Sequence, residues 1–523
     1  MHESAINTSE GQKLPDVVLP PTLNQDVVLA AKGGGITFAG RLFTLVSRFA
    51  IAFILARLMG AGEYGTYNLA LSAIGVASGL ALFGLDTAMI RYVPVFASRR
   101  DEAGLWGALQ LGLGGATLLS ILISAGLYAL AEPIGEQLFH ASNLAPLLRL
   151  VSLIVPIFTL GSVAASATQG FKKMQYAALS RDVVQPLIRL VLISGFAIIG
   201  LNAAGALVIF GLAIATSTIM LLHFLNKLFR LRRPLRAARR DTAEIMRFSI
   251  SVYLTDLMLL FQENVQTLLL GALNTMISVG RFAVASQLNL IGTMFQSSIT
   301  IAAKPIIAEL YDRGEREQMG RIYQTASKWM FTFNLPLFLI LILFPAQMLS
   351  IFGRSFVEGS TALVLLTWAK MIDIGTGMGG AIIDMTGYTK LKLVNSIIQL
   401  ALSLVCSILL VPSWGIVGAA TAVLVGIGAL NLLRLCEVFV LFRLLPYNAS
   451  FSKPILAGLA GLLAALATSR LLPPQRSHLY TAINVAVILG VYTGMILLLG
   501  LSAEDRAVLE RMRRRMLNRL PRR

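Results

Sequence analysis

Cysteine is nearly absent: two residues, Cys406 and Cys436, in 523. Both sit inside apolar runs, where a free thiol serves as a small hydrophobe. Two cysteines rule out a disulfide framework. Histidine is as scarce. His2, His140, His223 and His478 are scattered, with no second ligand at metal-binding spacing. Charge is the largest deficit. Asp, Glu, Lys and Arg make up 13% of the chain, about half the share of a soluble domain. No phosphate-binding loop occurs, so the chain carries no ATPase of its own. No long polar stretch is available to hold a lipid-embedded glycosyltransferase's catalytic domain, and no enzyme signature emerges. The first 32 residues are polar and contain proline. They lack the basic, apolar and cleavage regions of a signal peptide, so the first helix is expected to be its own insertion signal.

Apolar runs fill the space those absences leave. Hydrophobic residues make up 56% of the chain and the mean hydropathy is +0.75. Roughly fourteen runs of about 20 or more residues follow one another, and a bilayer core needs about 20 helical residues. They are expected at 33–59, 67–95, 105–130, 144–170, 176–200, 203–228, 244–272, 281–303, 321–346, 358–386, 389–411, 415–441, 453–472 and 478–501. Only structures that satisfy their own backbone span lipid. The expected fold is an all-α polytopic membrane protein.

The net charge of +18 is placed by topology rather than by nucleic acid, and no nucleic-acid partner is expected. If the N-terminus is cytoplasmic, alternate loops collect the basic residues: Arg99 and Arg100, Lys172 and Lys173, the run from Lys227 to Arg240, Lys304, Arg313 and Arg316, Lys390 and Lys392, Arg443 and Lys453, and a C-terminal arginine cluster. The opposite loops hold single cations such as Arg57, Arg281 and Arg354. This bias predicts cytoplasmic N- and C-termini and an even helix count. The Asn448-Ala449-Ser450 sequon falls on the expected cytoplasmic side.

The longest basic break, around 229–243, divides the first twelve runs into six and six. Segment 63–70 (EYGTYNLA) aligns without gaps to 278–285 (SVGRFAVA), matching Gly65 to Gly280, Tyr67 to Phe282 and Ala70 to Ala285. Both lie on the expected extracytoplasmic side, so the halves read as parallel repeats about an axis along the membrane normal. The expected organisation is a polar cytoplasmic tail (1–32), an N-lobe (33–228), a basic linker (229–243), a C-lobe (244–441), two further helices (442–501) and a basic tail (502–523). In that tail Val508, Met512, Met516 and Leu520 share one helical face, the pattern of a helix lying on an anionic leaflet.

Ionisable residues at membrane depth usually face a cavity or a partner. The first helix carries Arg41 and Arg48 seven residues apart, nearly on one face. The second carries Asp86 and Arg91. The fifth carries Arg181, Asp182, Gln185 and Arg189, with Arg181, Gln185 and Arg189 on one stripe. The seventh carries Asp256 and Glu263 beside Gln262, Asn264 and Gln266; at the repeat offset Arg41 faces Asp256 and Arg48 faces Glu263. The tenth carries Lys370, Asp373 and Asp384. Three readings stand side by side. Arg57, Arg91, Arg181, Lys304 and Asp384 lie near helix ends and are read as interfacial. Asp182 with Arg181 or Arg189, and Asp373 with Lys370, are read as ion pairs. Arg41, Arg48 and Arg189 are read as the basic lining of a hydrated path for an anionic substrate. Asp256 and Glu263 remain open as sites for a coupling cation or proton, or as partners of those arginines. The glycines between Gly375 and Gly380 are read as a kink or a close helix contact rather than a phosphate loop.

Two stretches resemble a known group. Residues 57–67 (RLMGAGEYGTY) are similar to the first extracytoplasmic turn of bacterial polysaccharide flippases, and 84–92 (GLDTAMIRY) to the end of their second helix. The family is the oligosaccharide (O-antigen and exopolysaccharide) flippase branch of the multidrug/oligosaccharidyl-lipid/polysaccharide superfamily, and length and duplication agree with it. The resemblance implies two six-helix lobes in a V around a cationic cavity, plus two extra C-terminal helices. It implies export of an undecaprenyl-pyrophosphate-linked oligosaccharide across the bacterial inner membrane by alternating access, for surface polysaccharide synthesis, with no cofactor beyond coupling to Na+ or H+. The expected substrate-binding residues are Arg41, Arg48, Arg91 and Arg189, and the expected coupling residues Asp256 and Glu263. Expected partners are the lipid-linked oligosaccharide, membrane lipids, and a polysaccharide polymerase and chain-length proteins. A cation-coupled drug exporter, a peptidoglycan-precursor flippase and a scaffold for glycan enzymes remain alternatives.

Overall fold

A computed structural model describes residues 21–500 except 199, 232–233, 235–237, 240–241 and 472–477, with side chains from 43 onward and without those of 242, 471 and 478. The described residues are helical, with no strand among them.

The first half opens with α1 (Pro21–Leu82), which bends at Gly60, where φ is 70° and ψ 179°. The helix thus begins ahead of the expected start near residue 33; Pro21 has the fixed φ that suits a first helical residue. A left-handed Phe83–Gly84 turn leads into α2 (Leu85–Ser98). α3 (Glu102–Leu109) and α4 (Ala116–Ala129) join through a π-helical stretch at Gln110–Gly115. A short α5 (Ala131–Pro133) precedes α6 (Leu144–Gly170). α7 (Met174–Ala177) and α8 (Gln185–Phe196) flank a second π stretch, Ala178–Val184, and α9 (Ala203–Leu228) closes the half. The second half runs α10 (Thr242–Leu273), α11 (Met276–Asp312), α12 (Arg316–Leu343), α13 (Pro345–Ser350), α14 (Ser360–Gly375), α15 (Gly379–Met385) and α16 (Thr389–Phe442), the last bent at Gly415. α17 (Ser452–Leu471) and α18 (His478–Leu498) follow.

Among the described residues nine helices are long and apolar enough to cross a membrane. Two of them, 43–82 and 389–442, each join two of the expected runs across a bent glycine. The expected runs 176–200 and 358–386 are broken into shorter helices, and 244–272 carries Arg247, Asp256 and Glu263.

The repeat is visible in the backbone. Gly200, between α8 and α9, and Gly415, in the bend of α16, both have positive φ and lie at the same constant offset as Gly65 and Gly280. Lys172 and Gly387 form another such pair, each just before the next helix of its half. A turn that demands the left-handed region favours glycine, and Lys172 shows that the first half keeps the turn without it.

Lipid offers no hydrophobic drive for helices to associate, so small residues and polar contacts must hold them. α6 meets α9 at Gly161, within a run of small buried residues that includes Ser162, Ala164 and Ala165. A Cβ on Gly161 would lie 2.3 Å from Thr218 Oγ1, and that hydroxyl donates to the Ile157 carbonyl at 3.1 Å. In the second half the Ser407 hydroxyl donates to Gln266 Oε1 at 2.8 Å, tying α16 to α10. α17 and α18 dock on α12 through the Phe331–Phe451 stack and through Tyr492, whose hydroxyl donates to the Thr332 carbonyl at 2.8 Å. The linker is fastened to α3: Trp106 Nε1 donates to the Pro234 carbonyl, and Arg239 pairs with Asp101. The basic tail 502–523 lies outside the described residues. Cys406 is partly buried and Cys436 exposed, and both are free thiols.

Candidate functional site

The kink at Gly60 and the π stretch in the fifth run place the site. Past the kink, α1 presents Tyr64, Tyr67, Asn68 and Leu71 to the same space that Thr44 and Arg48 reach from before it. Opposite stand Arg181, Asp182, Gln185 and Arg189 from the π stretch and α8, with Phe158 of α6, Phe210 of α9 and Gln287 of α11. They enclose a cavity of about 400 Å³. Among the described residues its charged lining is three arginines against one aspartate.

Arg189 is held from two sides. Its Nη2 donates to the Tyr67 hydroxyl at 2.8 Å, and its guanidinium carbon lies 4.8 Å from the centre of the Phe210 ring. Its Nε is buried with no partner among the described residues. Arg48 is exposed to the cavity and within electrostatic reach of Arg189 and Glu263. The wall is pinned to α1 by Thr44 Oγ1, which donates to the Asp182 carbonyl at 2.8 Å. The π stretch widens the helix by one residue per turn there, a distortion common at functional positions.

Of the expected substrate residues, Arg48 and Arg189 meet in this cavity. The side chain of Arg41 lies outside the described residues. Arg91 lies elsewhere: it is exposed and stacks over Phe248, 4.4 Å from the ring centre. Arg181, read from sequence as a helix-end residue, lines the cavity with Arg189, as the stripe on the fifth run implies. Asp256 and Glu263 are exposed on α10. Glu263 reaches the field of Arg48, while Asp256 reaches Asp86, and Asp86 reaches Arg181. Glu263 of the second half therefore faces Arg48 of the first, whereas Asp256 faces another acid, Asp86. Tyr64, Tyr67, Asn68, Phe210 and Gln287 were not foreseen. Tyr67 stood in the aligned repeat segment, but an aromatic beside an apolar run carries no charge signal, and Gln287 carries none at all.

A second, smaller cavity of about 180 Å³ lies in the other half, among Gln296, Lys304, Asp373, Asp384, Lys392 and Arg434. Its aspartates are paired with lysines. Lys370 Nζ lies 2.8 Å from Asp373 Oδ2, and Gln296 and Asn431 donate to the same carboxylate. Asp384 takes Lys304 at 3.3 Å and Lys392 at 3.0 Å. The expected Lys370–Asp373 pair is thus formed. No group of three His, Cys, Asp or Glu side chains arranged for a metal occurs among the described residues.

The sequence model of the family described as polysaccharide biosynthesis protein matches residues 30–311, more than half of the chain. The MatE family model matches residues 252–409. Stage V sporulation protein B of Bacillus subtilis is 22% identical over 464 residues, covering 82% of this chain and 88% of that protein. The probable low-salt glycan biosynthesis flippase Agl15 of Haloferax volcanii is 20% identical over 392 residues, covering 75% of this chain and 77% of that protein. The structure is similar to that of the lipid II flippase MurJ in an inward closed conformation, with a TM-score of 0.70 at 14% identity, over 89% of this chain and 98% of that one. An inward-facing multidrug resistance transporter of the MATE family gives 0.62 at 16% identity, over 76% and 94%. At such identities the structural likeness is one of fold.

Proposed function

The chain belongs to the polysaccharide biosynthesis protein family of the multidrug/oligosaccharidyl-lipid/polysaccharide superfamily, and on that premise we propose that it is a flippase for a lipid-linked oligosaccharide. The observation that carries this reading is the cavity where, among the described residues, Arg48, Arg181 and Arg189 outnumber the one lining carboxylate, Asp182. A sugar pyrophosphate cannot enter hydrocarbon because its polar groups would lose their water. An arginine-lined cavity replaces that water, and guanidinium forks suit phosphate oxygens. Arg189, already oriented by Tyr67 and Phe210, receives the anion without further ordering. Arg48, exposed in the cavity, completes the grip. The polar Tyr64, Asn68, Gln185 and Gln287 offer hydrogen bonds to sugar hydroxyls. The lipid tail stays in the bilayer while the halves rock about the cavity.

In this reading the carrier lipid is undecaprenyl pyrophosphate, the membrane is the bacterial inner membrane and both termini are cytoplasmic. The product feeds a polymerase and chain-length proteins. Asp256 and Glu263 couple the cycle to Na+ or H+.

The test is a strain lacking the gene, complemented with wild type or with Arg48→Ala/Arg189→Ala. Loss of surface polysaccharide with lipid-linked units accumulating inside, rescued by wild type only, supports the flippase. An unchanged glycan profile sinks it. One alternative has an observation behind it. The MatE match spans Asp256 and Glu263, which suits a cation-coupled drug exporter, and that reading requires altered drug resistance in the same strain.

A further inference from the structure

The two glycines that mark the repeat pack against one another. A Cβ on Gly65 would lie 1.8 Å from the Met276 carbonyl oxygen and 2.8 Å from Gly280 N. A Cβ on Gly280 would lie 2.0 Å from the Ala61 carbonyl oxygen and 3.0 Å from Gly65 N. The contact is reciprocal: Ala61 with Met276, and Gly65 with Gly280, are matched pairs at the constant repeat offset. A contact that repeats itself under exchange of the halves lies on their pseudo-two-fold axis. Both helices also start afresh at this point, α1 after the Gly60 kink and α11 after Thr275, whose backbone is extended and whose side chain caps the Ser278 amide.

We propose that this backbone-to-backbone glycine crossing is the seal that closes the cavity toward the extracytoplasmic side, and that it must part for the cavity to open outward. The same turn of α1 carries the seal and the cavity wall. Tyr64 and Tyr67 flank Gly65, line the cavity, and Tyr67 holds Arg189. Parting of the crossing therefore moves the residues that orient the binding arginine. A neighbouring contact braces the closed form across the halves: Arg57 Nε donates to the Ile351 carbonyl at 2.9 Å, onto the segment that follows α13. The atoms facing each glycine are main-chain atoms, so no rotamer change relieves an added methyl. Alanine at either position must push the helices apart, which favours the outward-open form.

The inference concerns closure and holds whichever head group the cavity takes. It is tested in a background with Cys406→Ser and Cys436→Ser. Gly62→Cys and Ile277→Cys supply a reporter pair, since a Cβ on Gly62 lies 3.7 Å from Ile277 Cγ1, an atom in the position a cysteine sulfur at 277 can take, which brings the two thiols close enough to join. The pair should crosslink on mild oxidation, and adding Gly65→Ala or Gly280→Ala should slow crosslinking by about tenfold or more. In a separate Leu71→Cys protein, either alanine should raise labelling by an impermeant maleimide added outside the cell. Gly126→Ala, with open space around it, should leave both readouts at the parent level. Unchanged crosslinking and labelling in both alanine variants overturn the proposal. If neither variant accumulates in the membrane, the crosslinked reporter protein decides. It should fail to bring glycan to the surface until reduced, provided the parent complements; display by the locked protein overturns the seal. Failure of the parent itself to complement counts against the flippase reading, while the crosslinking and labelling arms still judge the seal.

Discussion

Removing the Arg189 guanidinium is the sharpest perturbation of the proposed binding site. The side chain already spends one donor on Tyr67, at 2.8 Å, and its guanidinium carbon sits over Phe210, 4.8 Å from the ring centre, with Nε buried without a partner among the described residues. A phosphate oxygen that takes Nε, or shares the fork, gains a charge-assisted hydrogen bond worth roughly 1.5–3 kcal/mol net. At 1.4 kcal/mol per decade, Arg189→Ala should weaken half-saturation by lipid-linked pyrophosphate roughly 10- to 150-fold. Arg189→Lys keeps the charge but loses the planar fork and the stack, and should recover only part of the loss. Tyr67→Phe removes one hydrogen bond to a charged group, about 1.5 kcal/mol, and should cost about tenfold. The assay is initial transfer rate in proteoliposomes against the mole fraction of a fluorescent lipid-linked oligosaccharide. If Arg189→Ala, folded and at wild-type abundance, keeps its half-saturation within about twofold, the anion does not bind there and the reasoning fails.

Further outcomes are open to measurement. Asp256→Asn with Glu263→Gln should abolish the dependence of transport on a Na+ or H+ gradient; intact transport with intact ion dependence would discard coupling at these acids. Lys370→Met should lower stability by roughly 3 kcal/mol, because it leaves Asp373, 17% exposed, without its ammonium partner. Adding Asp373→Asn should restore most of that, and detergent thermal melts of the single and double variants will tell. Gly161→Ala places a methyl 2.3 Å from Thr218 Oγ1 and should cost about 1–3 kcal/mol by overpacking; Thr218→Ala should relieve most of it, and unequal relief in the same melts would mean α6 and α9 adjust elsewhere.

The aligned segments around Gly65 and Gly280 show where sequence reasoning reached and where it stopped. The match identified two equivalent turns. It gave no hint that these turns touch each other, since nothing in a gap-free alignment says that two copies of a motif meet on their own symmetry axis. Arg48 and Glu263 fared similarly. Their equivalence was visible as an offset, and their electrostatic proximity is set by how α1 and α10 lie in space.

The sequence by itself determined the helical membrane class, the duplication and the basic character of the first half. Each of these rests on local quantities: hydropathy over about 20 residues, charge per loop, and the identity of residues a constant distance apart. Tertiary structure decided which charges converge. The π stretch at Ala178–Val184 and the kink at Gly60 bring Arg48, Arg181 and Arg189 to one cavity with Tyr67 and Phe210, while Arg91 goes to Phe248 instead. The physical reason is that a membrane helix can turn any apolar face toward its neighbours at similar cost in lipid. The facing is then fixed by close contacts between small residues and by side-chain hydrogen bonds, which are properties of pairs of helices.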